Sequence, residues 1–115
     1  NTPQQALNLL NDPTFVEAAR VLAEKLTGDS RPFAERLDLG FRQLLERQPH
    51  PEEAQLLKAL YDRQLKRYFA NPEDAHALLK VGLRPAGKEA NPMDLAAFTA
   101  VTRALLNLHE TITRY

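Results

Sequence analysis

Apolar residues recur at helical rather than strand spacing along the whole chain. Phe15, Ala18, Ala19, Leu22 and Leu26 fall on one face and predict a helix that opens at Pro13. Gly28 then suits a left-handed helix end, because it has no Cβ to clash there. Phe33, Leu37, Phe41 and Leu44 align in a helix from about Pro32 to Arg47. Gly40 inside it costs about 1 kcal/mol relative to alanine and permits a close helix crossing. The stripe Ala54, Leu57, Tyr61, Leu65 and Tyr68 predicts the clearest helix, from Pro51 to about Ala70. A shorter one runs from Pro72 to near Gly82, and Leu95, Phe98, Val101, Leu105 and Leu108 mark the inner face of another beginning at Pro92.

Polar residues punctuate this pattern. Thr2-Pro3, Asp12-Pro13, His50-Pro51, Asn71-Pro72 and Asn91-Pro92 each place a polar or turn residue before a proline. Proline at the first helical position gives up an N–H that has no partner in the helix anyway. Thr2-Pro3 predicts a short first helix, which Asn11-Asp12-Pro13 stops and restarts. Glu52 and Glu53 open the 51–70 helix and Lys66 and Arg67 close it, the order its dipole favours. Residues 83–91, LRPAGKEAN, read as a loop. The predicted fold is all-α: a compact bundle of about five to six mostly antiparallel helices joined by short proline-containing turns, forming a single helical domain over 1–115.

Charge and composition narrow the function classes. Fifteen Lys and Arg balance fifteen Asp and Glu, so no long-range field gathers nucleic acid or anionic membrane. No apolar run reaches the roughly 20 residues of a membrane helix, so neither nucleic acid nor membrane insertion is expected. Cysteine is absent, which excludes disulfides, thiol nucleophiles, zinc–thiolate sites and covalent c-type haem within these residues. The chain opens on Asn1 without a signal-peptide pattern, and the expectation is a cut-out or processed piece.

Candidate chemistry is sparse. Glu73 and His76 make the E-x-x-H step of di-metal helix bundles, but no second copy occurs and Glu73 lies in a first turn, where carboxylates are favoured. His50, His76 and His109 are scattered; His50 reads as an N-cap or turn residue, and His109 beside Glu110 as a helix end. RQLKRYF (Arg63 to Phe69) mixes basic and aromatic residues as nucleic-acid surfaces do, yet Tyr68 belongs to the core stripe. The only serine, Ser30, lacks a nucleophile-elbow context, and no glycine-rich phosphate loop is present. No metal and no cofactor is expected, and no catalytic motif occurs, so whether the chain belongs to an enzyme is open.

Three stretches carry a resemblance. NTPQQALNLLNDPTFVEAARVLAEKL is similar to the opening of the C-terminal part of the planctomycete PSD-type domain of unknown function, at Thr2, Pro3, Gln5, Ala6, Leu7, Leu10, Asn11, Asp12, Phe15, Val16, Glu17, Ala18 and Arg20. LLERQPHPEEAQLLKALYDRQLKRY resembles its L-x-G-R-x-P-x-x-x-E segment at Arg47, Pro49 and Glu53. AVTRALLNLHETITRY resembles its closing A-x-x-L-L-N-L-D-E motif at Ala104, Leu105, Leu106, Asn107, Leu108 and Glu110. Two departures stand out: Glu46 where that family usually has glycine, and His109 where it usually has aspartate.

The resemblance implies the C-terminal segment of a large bacterial protein, periplasmic or otherwise exported, often with a planctomycete cytochrome c module upstream. It implies no catalytic residue. Thr2, Gln5, Asn11, Asp12, Arg47, Asn107 and Glu110 are the structural motif candidates. Thr2, Asn11 and Asp12 are explained by capping, Arg47 by a carboxylate partner such as Glu110 or Asp12, and the polar set by buried hydrogen bonding that locks the bundle. The expected role is non-catalytic packing against upstream domains of the parent or another protein. The rival is one wall of a redox or glycan-related active site completed upstream. A third class, a free-standing helix-binding module, would show as an exposed apolar groove on the isolated chain.

Overall fold

A computed structural model describes residues 13–28, 31–82 and 91–114, with side chains as far as His109. They form five helices and no strand: α1 (Pro13–Thr27), α2 (Phe33–Leu45), α3 (Pro51–Ala70), α4 (Pro72–Leu79) and α5 (Pro92–Arg114). The all-α reading therefore holds, and the predicted bounds of the 51–70 helix are met at both ends. The short first helix and the 83–90 part of the predicted loop lie outside the described residues.

α5 is the axis of the bundle and packs against each of the other four helices. Its middle is apolar or small all round: Leu95, Ala96, Ala97, Phe98, Thr99, Val101, Thr102 and Leu105 are all buried. A helix with no polar face belongs in the centre. Asn91 starts it, its side-chain oxygen accepting the N–H groups of Met93 at 3.0 Å and Asp94 at 3.3 Å. Small residues let α1 close in. Ala19 and Ala23 are fully buried, and the Thr102 hydroxyl donates across the interface to the Ala19 carbonyl at 2.6 Å.

α2 approaches the same region through Gly40. A Cβ built on Gly40 would lie 2.8 Å from Leu105 Cδ1 and 3.1 Å from Leu26 Cδ1, so this glycine marks the predicted close crossing. Gly28 ends α1 at φ +52°, the left-handed conformation expected of it. Arg31 secures the same end by donating to the Leu26 carbonyl at 3.0 Å.

The structure corrects the sequence reading at three places. α1 buries Val16, Ala19, Arg20, Ala23 and Leu26, whereas Phe15 and Leu22 are half-buried and Ala18 is exposed. The stripe was sought among apolar residues alone, and it turns by one position once Arg20 is admitted as a core residue. α2 stops at Leu45, two residues before the expected Arg47, because Glu46 takes the left-handed conformation at φ 56° and ψ 33°. Asn71 precedes α4, but its side chain makes no capping hydrogen bond.

Candidate functional site

The strongest clusters of charge and aromatic surface lie where α2, α3 and α5 meet. Helical spacing puts Phe33 and Arg36 on neighbouring turns of α2, Lys58 and Tyr61 on α3, and Asp94 and Phe98 one turn apart on α5. The rings of Phe33, Tyr61 and Phe98 form a triangle, with centroids 4.8, 5.8 and 6.3 Å apart. The two contacts to Phe98 are edge-on, which ring quadrupoles favour.

Asp94 is the hub of the polar half. Arg36 Nη1 donates to its two carboxylate oxygens at 3.1 and 3.3 Å, and the Tyr61 hydroxyl donates to Oδ1. Arg36 also donates from Nε to the Arg31 carbonyl at 2.7 Å, and its guanidinium lies 5.0 Å from the Phe98 centroid. Burial, reinforced by the bond to Asp94, pushes the Tyr61 hydroxyl up to about 12. Tyr61 therefore stays a neutral donor at physiological pH. Lys58 holds the other side of the triangle, its ammonium 5.4 and 5.3 Å from the Phe33 and Tyr61 centroids.

A second charged device lies at the hairpin between α2 and α3. Arg47 grips Glu53 in two parallel bonds, Nη1 to Oε1 at 2.8 Å and Nη2 to Oε2 at 2.9 Å. The same carboxylate accepts the His50 N–H at 2.8 Å, which makes it one arm of a capping box for α3. These bonds hold the Glu53 carboxyl down at about 2, with Arg47 the main cause. The R-x-P-x-x-x-E spacing therefore has a local structural meaning: Arg47 and Glu53 brace the turn that Pro49 passes through. Among the described residues the carboxylate partner of Arg47 is Glu53, and the pair is part-exposed rather than deeply buried. Asp12 and the side chain of Glu110, the partners named from the sequence, lie outside the described residues.

Between these two devices α2 and α3 stand apart and leave an open groove of about 860 Å³. Phe33, Leu37, Pro49, Ala54 and Ala59 supply its apolar lining. Asp38 comes from one wall and Lys58 and Asp62 from the other. Both carboxylates are held by exposed neighbours four residues away, Asp38 by Arg42 at 3.1 Å and Asp62 by Lys58 at 2.7 Å.

The remaining sequence candidates do not join this region into one site. Thr2, Gln5, Asn11 and Asp12 lie outside the described residues, as does the side chain of Glu110. Asn107 is half-buried on α5. Glu73 and His76 sit on the solvent face of α4, and His50 is exposed at the start of α3. Among the described residues, no three His, Cys, Asp or Glu side chains converge where they could hold a metal ion, and no helix is long and apolar enough to cross a membrane.

Sequence reasoning missed Arg36 and Asp94, and it met Arg20 only as a position of the family motif, not as a core residue. Arg20 is 1% exposed, beside Glu17 and Glu24 on its own helix, so its E-x-x-R-x-x-x-E spacing was the available signal. Asp94 reads in sequence as an ordinary first-turn acid, and nothing local ties it to Arg36 on a distant helix.

No curated protein and no solved structure matches the chain. One family does: PSD1, described as "Protein of unknown function (DUF1553)", matches residues 1–61, from before α1 into α3. That stretch takes in α1 with its buried Arg20, all of α2, and the Arg47–Glu53 brace, so the chain belongs to the PSD1 family.

Proposed function

We propose that this chain is a non-catalytic helical packing and interaction segment of a large exported, periplasmic bacterial protein. One observation carries the reading. The titratable groups whose acidity is most displaced are each engaged by an internal partner, Glu53 by Arg47 and Tyr61 by Asp94. Catalytic groups keep some hydrogen-bonding capacity aimed at open space. Here the open space is the α2/α3 groove, and its lining is mostly apolar. Apolar surface rimmed by polar side chains is what a packing partner covers. The exported setting rests on the family resemblance alone.

Hydrophobic-dye titration combined with light scattering on the 115-residue chain tests this. A folded monomer that binds dye, and loses most of that binding in Ala59→Arg but not in Glu73→Ala, supports an interaction face in the groove. A folded monomer whose groove takes up no dye contradicts it.

A further inference from the structure

We draw no further inference here: the strongest candidate, the solvent-facing patch of α3 that exposes Leu56 and Phe69, is an unpartnered helix face, and nothing in the structure shows what covers it.

Discussion

Two arginine–carboxylate pairs in this molecule are made of the same groups and do different things. Arg36 and Asp94 are 58 residues apart, join α2 to the central helix, and leave the guanidinium 8% exposed with an aromatic ring 5.0 Å away. Arg47 and Glu53 are six residues apart, brace one turn, and leave the guanidinium a third exposed. The Arg47 pair has the better geometry, with two short parallel bonds. Exposure decides against it. Water solvates Arg47 if its partner goes, whereas removing Asp94 strands a guanidinium and a phenol in a nearly dry pocket. The difference teaches that bond length is a poor guide to which pair holds a fold together.

The sharpest way to break the contrast is Asp94→Ala. It takes the carboxylate away from Arg36 Nη1 and the Tyr61 hydroxyl, leaving Arg36 only its bond to the Arg31 carbonyl. The expected cost is about 3 kcal/mol, which lowers the thermal midpoint by more than 10 °C in calorimetry. A loss as small as that of an exposed pair would put Asp94 among the surface charges. The next effect is alkaline. Tyr61 keeps its proton up to about 12 when folded but ionises near 10 when unfolded. Stability from this group is therefore complete below pH 10 and falls as pH rises from 10 toward 12, by about 2 to 3 kcal/mol in total. Denaturant titrations across that window should show the loss in the parent chain and not in Tyr61→Phe.

Glu46 gives a smaller effect of opposite sign. It holds φ 56° with a side chain where glycine is unstrained, so Glu46→Gly is expected to stabilise the chain by about 1 kcal/mol in urea unfolding. Smallest of all is Arg47→Ala, because solvent screens an exposed pair. The Glu53 carboxyl is depressed, so its contribution is present above about pH 4.3, the unfolded value, and is lost as pH falls through about 2. Acid titration of Arg47→Ala should lack that loss.

The sequence carried its local devices openly. His50-Pro51 with Glu53 three residues on marks the start of α3, and Gly28 and Gly40 announce a left-handed end and a close crossing. Glu46 stood out only as a departure from the family's glycine; that it takes the left-handed conformation and ends α2 before the expected Arg47 emerged from the structure. Non-local pairings left no such trace. Asp94 sits where any helix would welcome an acid, and Arg36 lies beside the apolar stripe of α2, so neither stands out until the helices are packed. Arg20 was hidden for a related reason: a period search among apolar residues passes over an arginine whose charge is met within its own helix. The groove was likewise invisible, because Ala54 and Ala59 show their function only opposite Leu37 on another helix.

The most direct measurement is a pair of double-mutant cycles in urea, one through Arg36→Ala and Asp94→Ala, the other through Arg47→Ala and Glu53→Ala. A coupling of about 2 kcal/mol or more for the first pair and a clearly smaller one for the solvent-screened second pair is expected if the Asp94 hub is an internal lock. Equal couplings, or a larger one at Arg47–Glu53, would contradict it and turn attention to Asp94 and Tyr61 as groups free to do chemistry.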